Sequence, residues 1–105
     1  MLFRSPHGVR LVIDSLRWWT QVIGIDGFRF DLAPALNRTG NMIDSALFAA
    51  IAADPVLRQL KLIAEPWDIS RYSLGEFQYP WREWNDYYRD AVRQFWLGEI
   101  GRAHV

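Results

Sequence analysis

Two short apolar runs in this chain each end on a carboxylate, and that repetition limits its folding more than any other feature. The first runs from Ile25 to Leu32 and carries Asp31; the second runs from Leu60 to Ala64 and is followed by Glu65. The residues between them include a helical stretch, which is the order and length of a strand-helix-strand unit. Strands joined in that way lie side by side and parallel. Both runs then finish at the same edge of the sheet, which brings Asp31 and Glu65 together.

The rest of the chain continues the alternation. Ser5-Pro6 is a helix opening, serine as cap and proline in the first turn. Val9, Val12, Ile13, Leu16, Trp19 and Ile23 then recur at helical spacing up to a stop near Gly24. Residues 34–42 read as an irregular connection above the first strand end. Asp44 or Ser45 can cap a second helix through Leu47 and Ile51 to Ala53, broken by Asp54-Pro55. After Trp67 a polar, aromatic stretch interrupted by Gly75 and Pro80 reads as a long loop. A last helix starts at Asn85 or Asp86, with Tyr88, Val92, Phe95 and Trp96 on one face. Such an order predicts an α/β fold with a parallel sheet covered by helices. Two strands leave that sheet with uncovered edges, so the sequence predicts a fragment that does not fold stably alone.

Charge and cysteine content narrow the function classes. Twelve basic residues balance twelve acidic ones and are interspersed with them, a pattern that predicts neither a nucleic-acid partner nor an anionic membrane. With no cysteine there is no disulfide staple or thiolate zinc site. The start of the chain lacks the pattern of a secretory leader, and no apolar run approaches the ~20 residues of a membrane span. The expectation is a cytoplasmic protein. No pair of histidines or acids has ligand spacing on one element, so no metal is expected, and His7 reads as a solvated surface residue.

Strand-end carboxylates in parallel α/β folds sit where loops can enclose a ligand. Neighbouring strands are about 4.8 Å apart, and a retaining glycosidase needs its two carboxyl groups about 5–5.5 Å apart. Arg29, two residues before Asp31 on the same face, can hold that carboxylate ionised in one rotamer, which suits a nucleophile. Glu65 lies beside Pro66 and Trp67, the kind of apolar neighbourhood that keeps a proton on a carboxyl group and suits a general acid. Local spacing also allows a plainer reading, a strand-end cap with its ion-pair partner. Trp67, Trp81, Trp84, Tyr87 and Tyr88 lie in or beside the long loop, where flat aromatic rings can support sugar rings, with core packing as the alternative; Trp67 and Trp84, with Asp68 beside Trp67, are the candidate substrate-binding residues. Trp18 and Trp19 read as helix packing.

The motifs themselves resemble a known family. Gly27-Phe28-Arg29-Phe30-Asp31 followed by Ala64-Glu65-Pro66-Trp67-Asp68 is similar to the second and third signature regions of the alpha-amylase family of glycoside hydrolases. Val12 to Trp19, Leu62 to Asp68, Glu83 to Asp90 and Phe95-Trp96 narrow the resemblance to glycogen debranching enzymes of the bacterial, isoamylase-like type. The resemblance implies a fragment of a (β/α)8 TIM barrel over residues 1–98, about two βα units around strands 4 and 5. It implies Asp31 as nucleophile, Glu65 as general acid/base and Arg29 in support. It also implies an α-glucan such as glycogen or limit dextrin as partner, α-1,6 linkages as target and no cofactor. Leu32-Ala33-Pro34 after the nucleophile, in place of a Lys-His, fits debranching better than α-1,4 hydrolysis or glucan transfer. The family's first and fourth regions have no counterpart here, so this chain alone is expected to be inactive. A non-catalytic glucan-binding or scaffold role is the alternative. Residues 99–105, His104 included, leave the pattern and back-translate into a string resembling a sequencing-library adapter, so they are expected to be non-native.

Overall fold

The computed structural model describes residues 5–36, 45–69 and 71–98. The 99–105 tail, the Asp44 cap and most of the 34–42 connection lie outside those residues. Helix α1 (Pro6–Trp18) opens as the sequence predicts, with the Ser5 hydroxyl oxygen accepting from the Gly8 N–H. Val9, Val12, Ile13 and Leu16 pack on the core. The stripe does not extend through Trp19 and Ile23, which are 45% and 51% exposed. For Ile23 a change of helical period explains this. Residues Trp19–Ile23 wind as a π-helix, with the Gly24 N–H reaching back to the Trp19 carbonyl at 3.0 Å. The wider turn swings later side chains off the stripe. Trp18 and Trp19 meet edge to face at 5.1 Å and stay half-exposed, in place of the packing expected of them.

Three parallel strands form the sheet: β1 (Gly27–Phe30), β2 (Lys61–Ala64) and β3 (Arg82–Glu83), in that order. Phe28 lies opposite Leu62 and Phe30 opposite Ala64, while Ile63 and Ala64 lie opposite Arg82 and Glu83. The third strand corrects the expectation of a long loop between Trp67 and Asn85. Two charged residues show neither alternation nor an apolar run, so only the free edge of β2 makes them a strand. Gly27 is required where β1 starts: a Cβ there would lie 2.4 Å from the Lys61 carbonyl oxygen, so only glycine admits that approach.

Helix α2 (Ala46–Ala53) begins at Ser45, whose side chain accepts from the Phe48 N–H, and buries Leu47, Phe48 and Ile51. These side chains meet Leu57, Leu62, Ala64, Ala33 and Phe77 in one apolar cluster. Phe48 is its centre, with ring centroids at 4.6 Å to Trp81, 5.6 Å to Phe77 and 6.3 Å to Phe30. Phe77 and Trp81 thus cover the sheet from an irregular crossover where a parallel pair is usually covered by a helix.

Asp54 does more than end α2. Its Oδ1 accepts from the N–H groups of Val56 and Leu57 at 2.9 and 3.1 Å, and its Oδ2 meets Arg17 Nε at 2.6 Å. One nearly buried carboxylate therefore ties α1 to the turn before β2. Burial pushes its carboxyl up, but the Leu57 N–H, the Arg17 guanidinium and the Val56 N–H together outweigh burial and hold it below the usual carboxylate range.

Helix α3 (Asp86–Trp96) starts on Asn85, whose side chain accepts from the Tyr88 N–H at 3.0 Å. None of its residues is buried, and Tyr88, Phe95 and Trp96 are 71%, 52% and 79% exposed. Its apolar face is the one the sequence predicts, and it has no cover among the described residues.

Candidate active site at the strand ends

Asp31 follows β1 directly and Glu65 follows β2 directly, so the parallel register sets both at the same end of the sheet. The ladder continues past the strands. The Glu65 N–H donates to the Phe30 carbonyl and the Ala33 N–H to the Glu65 carbonyl, each at 3.0 Å. The Trp84 N–H donates to the Ala64 carbonyl, also at 3.0 Å, which fixes the residue after β3 beside Glu65. Three strand ends are therefore locked together by backbone bonds before any side chain is considered.

Arg29 joins the side chains. Its Nη2 lies 2.9 Å from Asp31 Oδ1 and 3.2 Å from Glu65 Oε2. A single nitrogen touching both oxygens limits them to about 6 Å apart, the range in which two carboxyl groups can act from opposite sides of one glycosidic bond. The sequence paired Arg29 with Asp31; that it also reaches Glu65 follows from β2 lying next to β1. The exposures differ sharply: the Asp31 side chain is 71% exposed and that of Glu65 12%. Asp31 is thus open to a ligand, whereas Glu65 is held.

Glu65 is held by the backbone as well. The Leu32 N–H donates to Glu65 Oε2 at 2.7 Å. Leu32 has φ of 44°, a left-handed conformation that costs a side-chain-bearing residue about 1 kcal/mol or more. The chain turns sharply after Asp31 and aims this N–H across the gap. Glu65 Oε2 thus has two donors on it, in place of the wholly apolar surroundings that Pro66 and Trp67 implied. Sequence reasoning missed Leu32 because its contribution is a backbone amide, which any residue type except proline would supply.

The guanidinium of Arg29 lies over the Trp84 ring, 4.1 Å from its centroid, within the range of cation–π attraction. Trp67 and Trp84 line one groove of about 330 Å³ together with Glu83, Asn85, Asp86, Tyr88 and Arg89. Trp67 stacks nearly parallel on Tyr72, at 6.4 Å and 8°, and the Tyr72 hydroxyl donates to Asp86. Partial burial, and then the Asp86 carboxylate, push the Tyr72 phenol above its ordinary range. The structure thus brings together Asp31, Glu65, Arg29 and Trp84, and it joins Trp67 to them through the shared groove. Asp68 is half-buried, and its N–H closes a turn on the Arg71 carbonyl at 2.9 Å. Among the described residues no group of three or more His, Asp or Glu side chains is arranged to hold a metal ion, and no helix is long and apolar enough to cross a membrane.

No protein-family model matches the chain. Curated proteins do. The Glycogen operon protein GlgX homolog of Mycobacterium tuberculosis is 50% identical over 100 residues, which covers 91% of this chain. The Glycogen debranching enzyme of Erwinia tasmaniensis is 53% identical over 95 residues, and that of Salmonella paratyphi A 52% over 95 residues; each covers 88% of the chain. In every case the chain spans 14% of the length of the relative it matches. Over most of its length the chain therefore matches, at about half identity, one segment of proteins named glycogen debranching enzyme or GlgX, in agreement with the resemblance its motifs carry.

Proposed function

We propose that this chain supplies the nucleophile and the general acid/base of a retaining glycoside hydrolase that cleaves α-1,6 branch linkages of glycogen or related α-glucans. The three parallel strands are, on this reading, consecutive strands of a (β/α)8 barrel, with the site at their carboxyl ends. The observation that carries the reading is the single Arg29 nitrogen bonded to carboxylates on two adjacent strands. Further support comes from similarity to proteins named glycogen debranching enzyme. The substrate partner is an α-glucan, and the setting of such glycogen metabolism is the cytoplasm.

The chemistry is the retaining mechanism that the resemblance implies. Glu65 protonates the glycosidic oxygen as the C–O bond breaks, while the exposed Asp31 carboxylate attacks the anomeric carbon and forms a glycosyl ester. Glu65, now ionised, takes a proton from water as that water attacks the anomeric carbon and releases Asp31. Arg29 keeps both carboxylates in register through the cycle. The resemblance also implies a third carboxylate, which this chain does not contain, so the test belongs in the full-length protein bearing residues 5–98. On a branched limit dextrin, Asp31→Asn and Glu65→Gln each lower kcat by about 10⁴-fold or more, in the manner of residues that act as one unit. Turnover within tenfold of the unsubstituted protein in either variant overturns the assignment.

A further inference from the structure

We infer that Trp84 is a positioning residue that sets the Arg29 guanidinium, and through it both carboxylates, instead of serving as a platform for sugar. The inference rests on the catalytic reading of Asp31 and Glu65 and adds to it the group that holds their shared partner.

Arg29 has a long, flexible side chain that is 35% exposed. A guanidinium in that position has many rotamers, and two carboxylates alone pull it toward whichever is nearer. The Trp84 ring removes that freedom. Its face lies 4.1 Å from Arg29 Cζ and so backs the guanidinium while Nη2 reaches Asp31 and Glu65. A planar, weakly hydrated cation stacks on an indole in this way better than an ammonium would.

The platform has to be fixed for this to work, and the backbone fixes it. The Trp84 N–H donates to the carbonyl of Ala64, the residue immediately before Glu65. The adjacent Glu83 pairs in register with Ala64. Asn85 then caps α3, so the backbone on both sides of Trp84 is committed to regular structure. The ring stands at a set height beside the catalytic end of β2. One guanidinium thus reads the positions of three strands: β1 through Asp31, β2 through Glu65 and β3 through the indole. The ring face that covers Arg29 is engaged by that cation, while Trp67, which lines the same groove, stacks on Tyr72.

Two readouts test this. In the full-length protein bearing this segment, the Arg29 Nε–H proton is followed by NMR, because a proton held over an indole face is shifted upfield by the ring current. The expected result is an upfield Arg29 signal that returns to the free-arginine position in Trp84→Leu, stays shifted in Trp84→Phe and survives Asp31→Asn. In the full-length protein bearing this segment, Trp84→Leu is expected to lower kcat on limit dextrin about 10-fold with KM within about 3-fold, and Trp84→Phe to recover most of the loss. A rise in KM with kcat unchanged marks a sugar platform and overturns the inference, as does an Arg29 signal at the free-arginine position in the unsubstituted full-length protein. If Asp31→Asn and Glu65→Gln leave turnover intact, the catalytic reading itself fails. If those two abolish turnover and Trp84→Leu changes neither kinetics nor the Arg29 signal, only the positioning role fails.

Discussion

On strand β1, Phe30 packs its ring against Phe48 and Trp81, while its neighbour Arg29 bonds Asp31, Glu65 and the face of Trp84. The two sides of one strand thus do opposite work, because successive side chains alternate across a sheet. The rear side is apolar and held by ring contacts with few directional demands. The strand-end side is polar, and each group there is held by a named hydrogen bond, an ion pair or a stack. Burial of the first stabilises the sheet and so fixes the geometry of the second.

Disruption of the rear side is expected to have the largest effect on stability. Phe48→Ala removes the ring around which Phe30, Phe77 and Trp81 are grouped and is expected to cost about 3–5 kcal/mol. That is a large part of the stability of a domain, so thermal unfolding of the full-length protein bearing this segment, followed by circular dichroism, should show a clearly lower midpoint. An unfolding midpoint within a few degrees of the unsubstituted protein would mean that the aromatic cluster does not hold the sheet.

Gly27→Ala attacks the junction between the two sides. The added Cβ meets the Lys61 carbonyl oxygen and Cβ at 2.4 and 2.7 Å, and both belong to the paired strand. The strands must separate, at about 2–3 kcal/mol. Because the Asp31–Glu65 gap is set by the same pairing, the Arg29 Nε–H signal should move as stability falls. A variant as stable as the parent would show that β1 and β2 need no such close approach.

A milder and pH-dependent effect is expected at Asp54, which ties α1 to the sheet away from the site. Its carboxyl is held below the usual range in the folded chain, so its stabilising contribution is present above the unfolded value, about 4, and is lost as pH falls through the lower folded value. Asp54→Ala is expected to cost about 2 kcal/mol at neutral pH and to flatten the acid limb of stability below about pH 4. An acid limb as steep as the parent's would assign it to other carboxylates.

The smallest expected effect is at Leu32. Leu32→Gly keeps the N–H that Glu65 accepts from and relieves the positive φ, while adding chain entropy to the unfolded state, so stability should change by less than about 1 kcal/mol. Leu32→Pro removes the donor and cannot adopt that φ, and it should release Glu65. Equal behaviour of the two variants in a thermal melt would show that the turn after Asp31 is not under conformational constraint.

Much of this architecture was readable from residues whose signal is local. Ser5 with Pro6 caps α1 as expected, and Ser45 and Asn85, each one of two candidates, cap α2 and α3, since a cap is a short-range hydrogen bond written in two or three positions. The alternation of Phe28 and Phe30 with Arg29 and Asp31 gave the two sides of β1, and the parallel pairing then gave the meeting of Asp31 with Glu65. What escaped the sequence depends on neighbours. Strand β3 is two charged residues recruited by the edge of β2. The π-turn at Trp19–Ile23 moves Ile23 out of a stripe that looks continuous in the sequence. The Leu32 amide and the Trp84 stack act through a backbone group and a ring face, and neither leaves a residue pattern.

The account stands or falls on Asp31 as the nucleophile. The direct measurement is incubation of the full-length protein bearing this segment with a slow fluorinated glycosyl donor of α-glucan type, followed by proteolysis and mass spectrometry of the labelled peptide. The account predicts one glycosyl group, esterified to the Asp31 carboxylate, absent in Asp31→Asn and formed slowly in Glu65→Gln. A label on any other side chain would contradict it, as would a product released with inverted anomeric configuration.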